Sequence, residues 1–330
     1  MSLTYLICRA HGYASRLLGR DLIRRLAAAR SLRQLAEELS ETEYGPSLKT
    51  AQTILDFEEA LAEVFVSRSS ALLGLAPGGI GDFIKSYLRR YEVQNLVWIA
   101  RMKLGGASEG EIARMLMPVK GMGVLDLEDL VKAGSLDELI KAVRSSGAYR
   151  LPEEVESVAE LEAELWKSYY AQIFKKLSLI PLSDRGDVKR LLGLELDLIN
   201  LKTCMLSAAG KLDREIAEML LIDNPAGVPR RKLVRLLSKG DERIFLEHFP
   251  GYRDFLMSAI SGGDWLLEVE RFRIVRRFAE SLRIPKFVNF FYVMKYLVDL
   301  EAEYRDLRTM AIAIHHGVPP ESRLRLLVSV

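Results

Sequence analysis

The chain has 330 residues, of which 49% are hydrophobic and 28% are charged. This balance is typical of globular proteins and excludes an intrinsically disordered chain. The net charge of +2 gives no overall electrostatic reason to expect a nucleic-acid partner. Locally, residues 1–33 contain seven arginines and one acid, Asp21, whereas segments 37–43 and 153–164 are acidic. We interpret these as solvated helix faces, with complementary docking surfaces as the second interpretation.

The two cysteines, Cys8 and Cys204, are too few and too far apart to indicate a disulfide framework or a metal site. We therefore expect a reducing, cytoplasmic location. The N-terminus has neither the apolar core nor the cleavage site of a signal peptide. The longest apolar stretch, residues 287–300, is interrupted by Lys295 and is too short to span a bilayer. The chain has only four asparagines and four glutamines, which favours a thermophilic source.

Helical periodicity dominates the chain, and it is clearest in segments 155–180, 189–209, 213–222 and 263–282. Alternation with a period of two, which is typical of strands, is absent or very short. We predict an all-α fold with at least 60% helix.

Three segments of the chain align with one another, at residues 91–116, 196–220 and 302–327. Each has an acid, then an amide or acid three residues later, and then a glycine ten or eleven residues further on. The period is 105 residues and then 106. The aligned residues are Glu92, Asn95 and Gly105 in the first segment, Asp197, Asn200 and Gly210 in the second, and Glu303, Asp306 and Gly317 in the third.

A tyrosine marks each predicted copy independently, at Tyr44, Tyr149 and Tyr252. These tyrosines precede Asn95, Asn200 and Asp306 by 51, 51 and 54 residues. The two sets of landmarks predict three similar helical domains, at residues 1–118, 119–223 and 224–330.

The acid and the amide share one face of an otherwise apolar helix, so we expect both to be buried. Buried polar groups need partners, and we predict that these side chains bond to backbone N–H groups or to an arginine of an adjacent helix. A catalytic carboxylate is the alternative, but an active site is usually unique rather than present in three copies. The glycine is predicted to end each helix as a C-cap.

Motifs that would carry chemistry are poorly supported. Residues 106–110 match G-x-S-x-G around Ser108, but a helix precedes the serine where the nucleophile motif requires a strand. The glycine-rich residues 77–81 lack the following Gly-Lys-Ser/Thr of a phosphate loop. His315 and His316 are adjacent and therefore point to different helix faces. We predict no catalytic residues, no cofactor and no metal site.

The repeated acid-x-x-Asn-Leu helix, its glycine, the next helix and the preceding tyrosine together resemble the C subunit of archaeal and bacterial A/V-type rotary ATPases. The eukaryotic relative of that family is the d subunit of the vacuolar proton pump. The similarity runs from about residue 4 to the C-terminus and includes YLICRAHGYASRLL near the start and TEY at 42–44. No single motif is specific, whereas the ordered set is. Asp306 departs from the asparagine of the other copies, and Glu92 departs from the aspartate at 197.

The resemblance implies three helical domains arranged as a funnel or socket. It implies a non-catalytic central-stalk subunit on the cytoplasmic face, peripheral to the membrane. Its partners would be the central shaft subunits and the membrane proteolipid ring, with no nucleic acid and no membrane insertion. Such a protein carries torque between ATP turnover and proton or sodium transport. Two alternatives remain at this point, a generic helical adaptor that binds protein or nucleic acid, and a hydrolase that uses Ser108.

Overall fold

The computed structural model describes residues 1–119, 121–262 and 264–330, and the side chains of all of these except residues 261, 262 and 264. It is 72% helical, with no strand among the described residues, and the predicted all-α fold is confirmed. The helices are α1 (Leu3–Ala14), α2 (Arg20–Ala27), α3 (Leu32–Leu39), α4 (Gly45–Leu48), α5 (Ile54–Gly74), α6 (Gly78–Leu88), α7 (Arg90–Leu104), α8 (Glu109–Met115), α9 (Leu127–Val131), α10 (Leu136–Ser145), α11 (Val158–Lys176), α12 (Leu182–Ala208), α13 (Arg214–Leu220), α14 (Arg230–Leu237), α15 (Glu242–His248), α16 (Arg253–Gly262), α17 (Asp264–Ser281), α18 (Phe290–His315) and α19 (Pro320–Arg323). Single turns of 3₁₀ helix lie at Leu177–Leu179, Pro250–Tyr252 and Leu324–Leu326.

The chain forms two compact units. Unit one comprises residues 1–81 and 268–330, so it contains both ends of the described chain, and unit two comprises residues 82–267. The internal three-fold repeat and the three domains at 1–118, 119–223 and 224–330 stay predictions.

Unit one is built around the two long helices α5 and α18, which pack against each other, while α1 also packs on α18. The apolar faces of the N-terminal helices α2 and α3 meet the C-terminal half of α18, where Leu307, Met310 and Ala311 are buried. Phe65 of α5 and Tyr304 of α18 lie with their ring centroids 5.1 Å apart. The N-terminal segment is therefore part of the core that buries α18.

Unit two is built around α7, α11 and α12. Helix α11 packs on α7 and on α13, and α12 packs on α13, α14 and α16. Arg90 of α7 and Glu195 of α12 form a buried two-armed ion pair, with N–O distances of 2.5 and 3.1 Å. The hydroxyl of Tyr169 in α11 donates to the carbonyl of Tyr87 at 3.1 Å. Polar groups thus join helices inside an otherwise apolar core.

The helices α7, α12 and α18 end in the same way. Each is followed by a glycine with a positive φ, namely 76° at Gly106, 71° at Gly210 and 68° at Gly317. Each such glycine donates its N–H to the carbonyl three residues back, and the next residue donates to the carbonyl five residues back. This Schellman geometry favours glycine because a side chain is strained at positive φ. In the first case the left-handed residue is Gly106 rather than Gly105, because Gly105 has a right-handed φ of −77°.

Candidate functional site

Glu92 on α7 is fully buried and is surrounded by hydrogen-bond donors. The hydroxyl of Tyr149 donates to its Oε1 at 2.6 Å, and the backbone N–H groups of Val124 and Leu125 donate to its Oε2. Arg89 lies over the Tyr149 ring, 4.6 Å from its centroid, and its Nε is 3.5 Å from Glu92. A single carboxylate thus joins α7 to two later loops of the same unit.

Asp197 on α12 occupies a similar setting in unit two. The hydroxyl of Tyr252 donates to its Oδ2 at 2.6 Å, and the N–H of Val228 donates to its Oδ1 at 2.7 Å. In place of an arginine, Asn224 donates its amide to Asp197 Oδ1 and to the carbonyl of Gly193, both at 2.7 Å. These donors to Asp197 are therefore all neutral.

Glu303 on α18 has the corresponding partners in unit one, but they come from the other end of the chain. The hydroxyl of Tyr44 donates to its Oε1 at 2.8 Å, and the N–H of Leu18 donates to its Oε2. Arg68 of α5 donates to Oε1 at 2.9 Å and also pairs with Glu43 at 3.0 Å. Glu303 thus connects α18 to α5 and to the N-terminal segment.

The second polar residue of each helix, three residues after the acid, bonds to backbone 22 or 23 residues further on. Asn95 bonds to both the N–H and the carbonyl of Met117, at 3.0 and 2.8 Å. Asn200 does the same with Ile222, again at 3.0 and 2.8 Å. Asp306 has no N–H to donate, and it accepts from the N–H groups of Val328 and Ser329 and from the Ser329 hydroxyl. The loss of the amide donor at Asp306 is therefore matched by a second N–H donor from the backbone.

Burial and charge shift the acidities of these groups. Burial, with the nearby carboxylate, raises the pKa of Tyr44, Tyr149 and Tyr252, so that each hydroxyl stays a proton donor. Burial also raises the pKa of Glu303 and of Asp306, against the lowering effect of the groups that donate to them.

The predicted burial of the acids and amides is confirmed. Backbone N–H groups and, at Glu303, an arginine of an adjacent helix are among their partners, as expected. The tyrosine hydroxyls that bond to all three acids were not predicted from the sequence. In each cluster both carboxylate oxygens accept hydrogen bonds from the protein itself. The chemical capacity of such an arrangement is to hold helices and loops together, because both oxygens of each carboxylate already accept hydrogen bonds from separate segments.

Several partner residues lie outside the repeat pattern, and the sequence did not predict them. Arg68, Arg89 and Asn224 are among them, although Arg89 lies only three residues before Glu92. Gly123 and Gly227 were missed as well. A methyl group at either glycine would overlap the carboxylate of Glu92 or Asp197, and each glycine directly precedes a valine whose N–H is a donor.

Ser108, the serine of the G-x-S-x-G match, has a structural role in the fold. The Ser108 hydroxyl caps α8 in a capping box with Glu111, whose carboxylate is bonded to the Ser108 N–H at 2.8 Å. The described residues contain no group of three or more His, Cys, Asp or Glu side chains that could hold a metal ion. Both cysteines are free, Cys8 exposed and Cys204 buried.

Within the described part of the chain, no helix combines the length and the apolar character needed to cross a bilayer.

The basic N-terminal segment is partly neutralised by acids of unit one. Arg16 pairs with Glu43 at 3.0 Å and Arg33 pairs with Glu37 at 2.9 Å, and both arginines are more than half exposed. These pairs agree with the interpretation of this segment as solvated helix faces.

A model of one protein family matches residues 6–325, which is nearly the whole chain, and that family is the ATP synthase (C/AC39) subunit. The chain belongs to this family. The resemblance to the C subunit of the A/V-type rotary ATPases is thereby confirmed, and the chain is a subunit of an A/V-type ATPase.

Individual members of the family support the same assignment. The chain is 25% identical over 345 residues to the C subunit of the A-type ATP synthase of Thermococcus onnurineus, and the match covers 98% of this chain and 89% of that protein. It is 23% identical over 340 residues to the protein of the same name from Pyrococcus abyssi, with coverage of 96% and 88%. It is 25% identical over 317 residues to the protein of the same name from Methanosarcina acetivorans, and the match covers 92% of this chain and 86% of that protein. The similarity therefore spans most of the length of both proteins in each comparison.

Proposed function

We propose that this chain is a non-catalytic central-stalk subunit that couples the central shaft of an A/V-type ATPase to the membrane proteolipid ring. In this role it transmits torque between ATP turnover and the transport of protons or sodium ions. Membership of the ATP synthase (C/AC39) subunit family over residues 6–325 supports the proposal. So does the end-to-end similarity to the C subunits of archaeal A-type ATP synthases.

The observation that carries the proposal is that the buried carboxylates of Glu92, Asp197 and Glu303 accept hydrogen bonds on both of their oxygens. Each accepts hydrogen bonds from a tyrosine hydroxyl and from backbone N–H groups of separate segments. Hydrogen bonds between buried polar groups of separate segments make a core more rigid and favour one arrangement of it. A part that transmits torque needs this stiffness, whereas an enzyme needs a carboxylate that a substrate can reach.

The long helices suit the same role. Helix α12 has 27 residues and α18 has 26, so each is about 40 Å long at about 1.5 Å per residue. Each carries its acid and its amide or second acid in its interior, where side-chain bonds to loops resist bending. The proposal includes a position on the cytoplasmic face, peripheral to the membrane, with three similar domains around the axis of the shaft.

Binding to the two proposed partners tests the proposal directly. The full-length chain should co-purify with the shaft subunits of its own ATPase, and separately with the isolated proteolipid ring in detergent. The Arg68→Met variant is a second test, because its weakened fold should reduce both interactions together. If the wild-type chain fails to bind the shaft subunits, or fails to bind the ring, the proposal is wrong.

A further inference from the structure

We propose that the groove between α11 and residues 222–231, together with the cations beside it, docks an acidic amphipathic helix of a partner protein. The inference goes beyond the proposed function, because it assigns a surface and a kind of partner without depending on which protein supplies the helix. All of this surface lies in unit two.

The groove is an open depression with a volume of about 630 Å³. One wall is a single face of α11, and the opposite wall is formed by residues 222–231. Helix α11 contributes Lys167, Tyr170, Ala171, Phe174 and Lys175, whose spacings of three and four residues keep them on one side of the helix. This wall is about 12 Å long, which matches two turns of an incoming helix.

The inside of the groove is apolar. Tyr170 is 3% exposed, and its ring centroid lies 6.5 Å from that of Phe174. Asn224 donates its amide to Asp197 and to a backbone carbonyl, both at 2.7 Å, and its oxygen accepts a backbone N–H at 2.9 Å. This amide is thus committed to the fold, whereas a small polar ligand needs polar groups that converge on it. The apolar side chains of a helix fit such a groove better.

The rim of the groove carries positive charge that an occupant can reach. Lys175 and Arg231 are exposed, and neither has an ion-pair partner among the described residues. Two further cations are engaged, since Lys167 forms an ion pair within α11 at 2.8 Å and Arg230 donates to two backbone carbonyls at 3.1 and 2.7 Å. Asp223 is the acid that lines the groove. The rim therefore favours an acidic occupant.

The positive charge continues from the groove along α14. Arg231 and Arg235 lie on its exposed face, about 6 Å apart along the helix axis. The exposed Lys239 follows in the turn after the helix. We call these three residues the basic stripe, and in the part of the chain that the structure describes none of them is in an ion pair. Like charges four residues apart destabilise a helix, so the stability of α14 does not explain the stripe.

A helix with glutamates four residues apart beside an apolar face satisfies both parts of this surface. Its apolar residues would enter the groove, as in other helix-in-groove complexes, and its carboxylates would meet the stripe, where arginine can donate two parallel N–H bonds. A nucleic acid has phosphates for the stripe but no aliphatic side chains for the groove. A bilayer surface is too broad to enter a groove of this size.

Binding of a synthetic peptide to the purified full-length chain tests the proposal. The probe is a fluorescein-labelled helical peptide of about 15 residues. It carries leucine and phenylalanine on one face and glutamates at successive spacings of four residues beside them. Fluorescence anisotropy should show saturable binding that weakens as the salt concentration rises. The same peptide with lysine in place of each glutamate should bind at least about tenfold more weakly.

Two variants test the stripe and the groove separately. Arg235→Glu with Lys239→Glu reverses the charge of the stripe and should weaken binding of the glutamate peptide at least about tenfold. Ala171→Arg should also weaken it, because Ala171 is exposed in the groove and a long side chain there occupies the space. This variant adds a positive charge, so tighter binding by it would show that charge alone attracts the peptide and would overturn the proposal.

Arg20→Glu with Arg24→Glu is the matched control. These two arginines are exposed, lie four residues apart on α2 and have no ion-pair partner within the described ranges. The control changes the net charge by the same amount as the stripe variant, and it should bind the glutamate peptide like the wild-type chain. Circular dichroism checks that each variant is folded. Equal losses in the two charge-reversed variants would contradict the proposal, and so would absence of binding by the wild-type chain.

Duplex DNA and phosphatidylglycerol vesicles are offered to the same proteins. If either one binds through the stripe while the glutamate peptide does not, the surface belongs to that partner and the proposal is wrong. These assays contain neither shaft subunits nor ring. A failed peptide assay therefore leaves the proposed function standing, and failure of the proposed function leaves the docking groove standing.

Discussion

The clusters around Asp197 and Glu303 each hold a buried carboxylate, but they do so with different hydrogen-bond partners. Both carboxylates are buried and accept from a tyrosine hydroxyl and a backbone N–H. Asp197 is completed by the neutral amide of Asn224 and by a tyrosine 55 residues later in the chain. Glu303 is completed by the cation Arg68 and by a tyrosine 259 residues earlier.

This difference shows what the two regions require for stability. The Asp197 cluster joins segments that are close in the chain and uses short hydrogen bonds with a glycine at the contact. The Glu303 cluster joins the N-terminal segment to α18. It contains the buried ion pair between Arg68 and Glu303, in which each charge is stabilised by the other. Removing a charge should therefore damage the Glu303 cluster most, and adding volume should damage the Asp197 cluster most.

The largest effect is expected for Arg68→Met. The variant leaves Glu303 buried without its cation, and breaking a buried ion pair in this way costs about 3–5 kcal/mol. Urea denaturation should show this loss in the free energy of unfolding. Arg16→Met is the control, because Arg16 pairs with the same Glu43 but has a side chain that is 58% exposed. The control should change stability by less than about 1 kcal/mol, and equal losses in the two variants would contradict the comparison.

Gly227→Ala should have the next largest effect, in the Asp197 cluster. The added methyl group would overlap the Asp197 carboxylate and the Asn224 amide, so the cluster has to move apart. We expect a loss of about 2–3 kcal/mol by urea denaturation, the upper range for overpacking. Gly186→Ala within α12 has open space around it and should be neutral or stabilising by up to about 1 kcal/mol. A neutral Gly227→Ala would show that the carboxylate does not need this close approach.

The tyrosines allow a finer comparison. Tyr44→Phe and Tyr252→Phe each remove one hydrogen bond to a buried carboxylate while keeping the ring. Tyr44 is 1% exposed whereas Tyr252 is partly exposed, so water can replace the lost hydroxyl only at Asp197. We expect losses of about 2 kcal/mol for Tyr44→Phe and about 1 kcal/mol for Tyr252→Phe. Thermal and urea denaturation measure both, and the reverse order would count against the role given to burial.

The smallest effect is expected in the pH dependence of Asp306→Asn. Burial raises the pKa of Asp306, so the folded state binds its proton more tightly than the unfolded state does. The stability that this group contributes is full below the ordinary aspartate pKa of about 3.9 and is lost as the pH rises through the raised pKa. The stability of the wild-type chain minus that of the variant should therefore fall as the pH rises from about 4. A difference that grows with pH would mean that the donors of Val328 and Ser329 outweigh burial.

The sequence was sufficient to predict the helical class, the burial of residues such as Glu92 and Asn95, and glycines at the ends of α7, α12 and α18. It could not show which tyrosine meets which acid. Tyr44 precedes Asn95 by the same 51 residues that separate Tyr149 from Asn200, yet Tyr149 bonds to Glu92. A constant spacing is consistent with a tyrosine that bonds to the acid of its own aligned segment. It is equally consistent with a tyrosine that bonds to the acid of a neighbouring segment, and only the fold distinguishes the two pairings.

The partners of the acids were hidden for a related reason. Arg68 lies on α5, 235 residues before Glu303, and one arginine among many gives no local pattern. Gly227 follows the Asp-Asn-Pro turn signal, where a glycine is expected without any carboxylate nearby. Contacts between distant segments depend on packing, which periodicity does not encode.

Ion pumping by the reconstituted complex tests the central claim most directly. The ATPase is assembled in vesicles with and without this chain, and ATP hydrolysis and ATP-driven ion uptake are measured on the same samples. If the chain couples shaft to ring, uptake occurs only when it is present, and hydrolysis persists in its absence. Undiminished ion uptake without the chain would contradict the account.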